Sequence, residues 1–266
     1  MPELTQYQRL PVAILAWAVL LFLILPTFII FPISFSGNQF LKFPPDSWSL
    51  RWYYEYFGST RWRNATVTSL KVAVLTTILC VPIGIAAAYG ILNSNFRGVR
   101  IIRLLVLTPI IVPSVIVAIA IFFAFVRFGL VATIPGIVIA HSVLAMPFAV
   151  LTVYAGLAAF DMSQELVARS LGASRFKAFM TVTLPQIRTN VVVAAIFVFL
   201  SSIDEVVVSL FVSAGQNATL TREMFRTIRD EVDPTISAVS TLFVTITLLL
   251  ALVAYLSQIQ GQRNKS

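Results

Sequence analysis

The sequence predicts an all-α, polytopic membrane protein with six transmembrane helices. Three observations carry that expectation. Of its 266 residues, 58% are hydrophobic and only 11% charged, where a soluble domain carries roughly 25% charged residues. Its mean hydropathy is +0.91. The apolar residues gather into six runs, each near the roughly 20 residues that a helix needs to cross a hydrocarbon core about 30 Å thick. Too few polar side chains remain to cover a water-facing surface. A globular cytosolic enzyme and the disordered, collagenous and disulfide-framework classes are therefore excluded. The net charge of +8 and pI near 10.1 form no continuous basic stripe, so they belong to loops and lipid headgroups, not to nucleic-acid binding.

The first run, 12–33, follows a short polar start containing Arg9. It is too long for a signal-peptide core and lacks a small-x-small cleavage site, so it reads as a retained helix kinked near Pro26. The next runs are 70–92, 103–126, 131–154, 191–212 and 236–256. Pro109 and Pro113, four apart in the third run, are expected to bend it. Between the first two runs lies a long connection rich in Trp and Tyr: Trp48, Trp52, Tyr53, Tyr54, Tyr56 and Trp62. Asp233-Pro234 before the last run reads as a helix start, with Asp at the cap and Pro at the first turn. Six spans place both termini on one side. The 19 basic residues divide ten to nine between the sides, and only the short Arg97, Arg100, Arg103 cluster leans toward cytoplasmic termini. No internal repeat or linker appears, so 1–266 is read as a single transmembrane domain.

The most specific stretch is 160–185, FDMSQELVARSLGASRFKAFMTVTLP. It shows helical spacing over Gln164–Leu171, a break at Gly172-Ala173-Ser174, and a second helical stretch ending at Leu184-Pro185. Gly tolerates the left-handed conformation that ends a helix, and Ser174 can cap the next one. Two short amphipathic helices meeting at such a turn cannot span a bilayer. They either form a knob that docks in another protein's groove or merely connect two spans.

This segment resembles the EAA loop of ABC-importer permeases, EAAxxxGAxxxxxFxxxxLP, at Gly172, Ala173, Phe179, Leu184 and Pro185. Aligned on Gly172, the Glu-Ala-Ala positions hold Leu166, Val167 and Ala168, and the acid, Glu165, falls one residue earlier. Residues 34–57, SLKVAV at 69–74, DEVVVSLFVS at 204–213 and DPTISAVSTL at 233–242 are similar to the polyamine (spermidine/putrescine) branch of the same superfamily. The resemblance implies a type I importer permease fold in a bacterial inner membrane, with the loop and both termini cytoplasmic. It implies ATPase coupling through Glu165, Ala168, Gly172, Ala173, Ser174, Phe179, Leu184 and Pro185. The implied partners are a cytoplasmic ATPase dimer, a second permease subunit forming a heterodimer with this one, and a periplasmic substrate-binding protein. No cofactor is implied.

The chain itself carries no G-x-x-x-x-G-K-[ST] phosphate loop, no Ser/His/Asp set and no zinc-spaced cluster. It is read as a non-catalytic subunit driven by a separate ATPase. The lone His141 reads as a buried structural histidine ahead of a metal ligand, and the lone Cys80 cannot pair within the chain. Asp204-Glu205, inside the fifth run, stands out. A carboxylate at bilayer depth costs at least about 2.5–3.5 kcal/mol on insertion scales and faces a cavity or a partner. Either acid could line a translocation path and attract a cationic solute, or the pair could bind backbone or a basic group at a helix break. Residues 221–232 have apolar side chains Met224, Phe225, Ile228 and Val232 at helical spacing. A short interfacial helix is expected, with Arg222, Arg226, Arg229, Asp230 and Glu231 on its wetter side, touching a binding protein or capping the bundle. The functional expectation is ATP-driven import of a small cationic amine such as spermidine or putrescine. The alternatives are an opine, amino-acid derivative, metal or anion in the same importer class, or an ion-coupled secondary transporter.

Overall fold

The computed structural model describes residues 6–94, 96–230 and 233–263. Regular structure among the described residues is helical, with one isolated antiparallel bridge between Ser36 and Trp48. Two compact units are distinguished, one drawn from Met1–Thr60 and Thr227–Ile246, the other from Arg61–Arg226 and Thr247–Ser266.

In the first unit, α1 (Gln6–Ser34) contains Pro11, Pro26 and Pro32 without ending at any of the three. Its large side chains from Val12 to Leu25 are exposed, with Phe22 at 76%. An apolar helix exposed all round suits lipid, not water. The connection that follows folds back on itself: Gly37 N donates to Ser47 O at 3.0 Å and Ser49 N to Phe35 O at 2.7 Å. Ser34 Oγ and the Tyr53 hydroxyl meet at 2.8 Å, and Lys42 bridges Asp46 at 2.8 Å on the surface. That bond holds the Asp46 carboxyl below its ordinary range. The short α2 (Arg51–Gly58) buries Trp52 and Tyr56. Asp233 Oδ1 accepts from Thr235 N at 2.8 Å, the expected cap of α13 (Thr235–Arg263).

The second unit begins with α3 (Thr60–Asn93), α4 (Val99–Ile111), α5 (Ser114–Phe128) and α6 (Ile134–Ala158). It continues through α7 (Ser163–Ser170), α8 (Arg175–Ala178), a π-turn at Phe179–Thr183, α9 (Leu184–Gln186), α10 (Arg188–Ile203) and α11 (Val207–Val212). The first turns of α12 (Leu220–Asp230) close it. α1 from Pro11, α3 and α6 are each long and apolar enough to cross a membrane alone.

Two expected helices are not continuous. The run 103–126 is divided into α4 and α5, which meet at 105°. Pro113 causes this: the residue before a proline is driven out of the α region, and Val112 sits at φ −77°, ψ 133°. The run 191–212 is divided at residues 204–206 into α10 and α11. The helical stretch expected to end at Leu184-Pro185 instead continues into α9, and Arg175–Gln186 meets α10 at 77°. α6 starts as its sequence indicates: Thr133 Oγ1 accepts from Gly136 N at 3.1 Å, with Pro135 in the first turn.

Small residues bring α3 and α6 together. Gly84 lies so close to Ala149 that an added Cβ would stand 2.6 Å from its Cβ and 3.2 Å from its backbone carbon, whereas Gly90 on the same helix has open space. Close approach through small residues is how helices pack without a hydrophobic driving force in lipid. Gly84→Val is therefore expected to lose about 1–3 kcal/mol of stability by overpacking, seen as a lower melting temperature in detergent. Gly90→Val should fall within experimental scatter of the parent, and equal losses at the two sites would contradict this packing.

Candidate functional site

Segment 160–185 forms two short helices, α7 and α8, on either side of Gly172, and its detail is local chemistry. Asp161 Oδ1 accepts from Ser163 N at 3.0 Å and Oδ2 from Ser163 Oγ at 2.8 Å, which starts α7 and lowers the Asp161 carboxyl from its ordinary range. Gly172 follows α7 at φ +93°, a left-handed conformation that costs a side chain strain. Ser174 Oγ accepts from Lys177 N at 3.2 Å and caps α8. The outward surface is apolar: Leu166, Val167, Leu171 and Phe176 are exposed, Leu171 by 84%. Ala168 and Ala173 are half-buried beside them, Phe179 and Leu184 face inward in part, and Pro185 is exposed.

Glu165 is placed differently from the rest. It is 2% exposed, so its carboxylate cannot present itself outward with the neighbouring Leu166 and Val167. It accepts from Thr183 Oγ1 at 2.5 Å and from the Tyr89 hydroxyl. Arg175 Nε donates to the same hydroxyl at 3.3 Å, with its guanidinium 5.2 Å from the Tyr89 ring centre. Phe179 packs edge-on against that ring at 5.1 Å. One buried acid thus ties α7, the π-turn and the end of α3 into a knot. Tyr89 and Thr183 were not singled out in the sequence, because their partner lies 76 and 18 residues away along the chain. Beside the knot opens an apolar cavity of about 540 Å³ whose lining includes Pro82, Ile85, Tyr89, Phe176 and Met180.

Both acids lie in the break at 204–206, in different surroundings. Glu205 Oε1 accepts from Val208 N at 2.9 Å, capping the first turn of α11. Its own carbonyl accepts from Thr221 Oγ1 at 2.9 Å. Asp204 follows the last residue of α10; its backbone N–H donates to Leu200 O at 3.0 Å while its side chain is exposed. The two carboxylates therefore do different work: one satisfies backbone at the break, the other stands free of the fold at that point.

Arg222 corrects a second expectation. It does not lie on a wet face but turns inward, donating to Leu210 O at 2.8 Å and to Ser213 O at the C-terminal end of α11. A cation there compensates the orphan carbonyls and the negative helix end. Phe225 and Ile228 are exposed and Glu223 is buried, 3.6 Å from Arg61 Nε. Glu231 and Val232, the end of the expected interfacial helix, lie outside the described residues. His141 is buried, with Nδ1 2.9 Å from Ser202 Oγ and Nε2 3.1 Å from Ser209 Oγ. Among the described residues no group of three or more His, Cys, Asp or Glu side chains could hold a metal.

The described residues thus form a helical membrane chain with two interrupted apolar runs and an amphipathic hairpin between α6 and α10. Residues 80–260 match the family described as binding-protein-dependent transport system inner membrane component, and the chain belongs to that family: it is an inner-membrane permease subunit of an ABC transporter. It is 25% identical over 239 residues to the spermidine/putrescine transport system permease protein PotC of Escherichia coli K12, covering 90% of each chain. It is also 25% identical to the putrescine transport system permease protein PotI of the same organism, covering 97% of this chain and 96% of that one. The molybdenum transport system permease protein ModB of Mycobacterium bovis is 27% identical, covering 87% and 92%. In fold the chain resembles the bacterial ABC transporter involved in import of the acidic polysaccharide alginate, at a TM-score of 0.71 and 14% identity, covering 98% of this chain and 99% of that one. The likeness to importer permeases read from Gly172 through Pro185 holds at the level of the family.

Proposed function

We propose that this permease subunit imports a small cationic solute of the polyamine class, driven by ATP hydrolysis on a separate ATPase dimer. The observation that carries the substrate is the exposed Asp204 carboxylate at the interruption between α10 and α11. In a poorly hydrated path an unneutralised carboxylate attracts an ammonium and repels an anion. The two polyamine relatives support this reading. The molybdenum relative favours a second, an oxyanion path, and the sign of the charge selectivity decides between them: loss of amine selectivity on neutralising Asp204 supports the first.

In this proposal the knob at 160–185 faces the cytoplasm, as do both termini, and docks in the ATPase. Six membrane crossings are counted by taking α4 with α5 and α10 with α11 as bent spans. A second permease subunit completes the path, and a periplasmic binding protein delivers solute. The docking contact is the apolar face of Leu166, Val167, Leu171 and Phe176. Glu165 serves it from inside, holding α7 in place. Leu171→Asp is expected to lower recovery of the ATPase with the purified complex by more than about 10-fold, a loss typical of a charged group placed in a buried contact. Phe40→Asp, equally drastic and at a residue 76% exposed in the long connection, should leave recovery unchanged. Unaltered recovery with Leu171→Asp would sink the docking assignment.

A further inference from the structure

We infer that His141 is a positioning residue for the translocation path, acting on Asp204 through the helix break; this rests on the placement of Asp204 in that path. His141 projects from the N-terminal half of α6 and is 2% exposed. Its two ring nitrogens reach hydroxyls on opposite sides of the interruption: Ser202 in the last turn of α10 at 2.9 Å and Ser209 in α11 at 3.1 Å. Both serines are buried, at 4% and 0% exposure. A neutral imidazole offers one N–H donor and one acceptor, and a serine hydroxyl takes either role, so one ring satisfies both partners without a charge. The only non-helical residues between the serines' helices are 204–206. The ring therefore fixes the two helix ends against α6, and the Asp204 carboxylate hangs from the segment so held.

Among the described residues the other side-chain bonds at the break are local or reach one side of it, Thr221 Oγ1 donating to the Glu205 carbonyl at 2.9 Å. Glu205 caps α11 locally and Arg222 holds its far end at Leu210 and Ser213, but neither ties α10 to α11. Both nitrogens of His141 are committed, each to a different side of the acid.

The test is a cycle on the complete importer in proteoliposomes, with putrescine as the probe. His141→Leu is expected to raise the half-saturation concentration about tenfold while the maximal ATP-driven rate stays within about twofold. His141→Gln, which can bridge less well but stays polar, should fall between. In an Asp204→Asn background His141→Leu should add less than about twofold, because the group it positions is gone. If His141→Leu multiplies the half-saturation concentration equally in both backgrounds, or leaves it unchanged in the parent, the inference is overturned. Should His141→Leu fail to assemble, Ser202→Ala and Ser209→Ala cut the two bonds singly and are read by the same cycle. An Asp204→Asn chain with unaltered half-saturation strikes down the path reading itself, a result distinct from additivity at His141.

Discussion

Asp204→Asn is expected to raise the half-saturation concentration for a diamine about 10- to 100-fold in an importer that assembles normally. The size follows from electrostatics. Two unit charges about 4 Å apart attract by about 4 kcal/mol at an effective dielectric near 20, and partial hydration of both groups removes a good share of that. A remainder of about 1.4–2.8 kcal/mol corresponds to one to two decades. Glu205→Gln should behave otherwise. Its carboxylate is taken up by Val208 N, and an amide oxygen can still accept that bond, so selectivity for charge should survive with a modest loss of stability. Uptake of a diamine and of its neutral diol analogue, measured for both variants, separates the two acids. Equal effects at 204 and 205 would show that the break does not divide their roles.

The second large effect falls on Glu165. Glu165→Ala leaves the Tyr89 and Thr183 hydroxyls without their common acceptor and frees the Tyr89 hydroxyl that Arg175 Nε donates to. Two hydrogen bonds to a buried charged acceptor are lost together, about 1.5–3 kcal/mol each, and the loss falls on the hairpin at 160–185. The expected result is transport reduced to background, with the segment opened to trypsin at Arg169 and Arg175 while α6 stays protected. Tyr89→Phe and Thr183→Ala each remove one donor to a charged acceptor, about 1.5–3 kcal/mol apiece, and should show intermediate cleavage. A Glu165→Ala chain that resists trypsin like the parent, yet no longer binds the ATPase, would instead make Glu165 a direct partner contact.

How far the fold can be read from sequence depends on where each constraint lies. α1, α3 and α6 are legible because each is one uninterrupted apolar run. The bend between α4 and α5 is legible in kind, since Pro113 must expel Val112 from the helix, but its 105° depends on what the two halves pack against. The break at 204–206 has no Gly or Pro to announce it. It is stabilised by groups far along the chain, Thr221 on the Glu205 carbonyl and His141 across both helices. Arg222 has the periodicity of a wet helix face, yet the nearest unpaired carbonyls lie inward at the end of α11. The knob's outline could be read from Gly172 and Ser174, whose backbone chemistry is local. The burial of Glu165 could not, because Tyr89 comes from another helix. One signal was available for the histidine site: Ser202 and Ser209 are seven apart, a spacing that would place both on one face of an unbroken helix.

The central claim is that this permease carries a small organic cation under ATP drive. Its most direct test is uptake of labelled putrescine into proteoliposomes holding the permease pair, the ATPase and the binding protein. Accumulation is expected to require ATP, to be suppressed by excess spermidine and to be indifferent to excess molybdate. Accumulation of molybdate in place of the amine, or amine flux that proceeds without nucleotide, would contradict it.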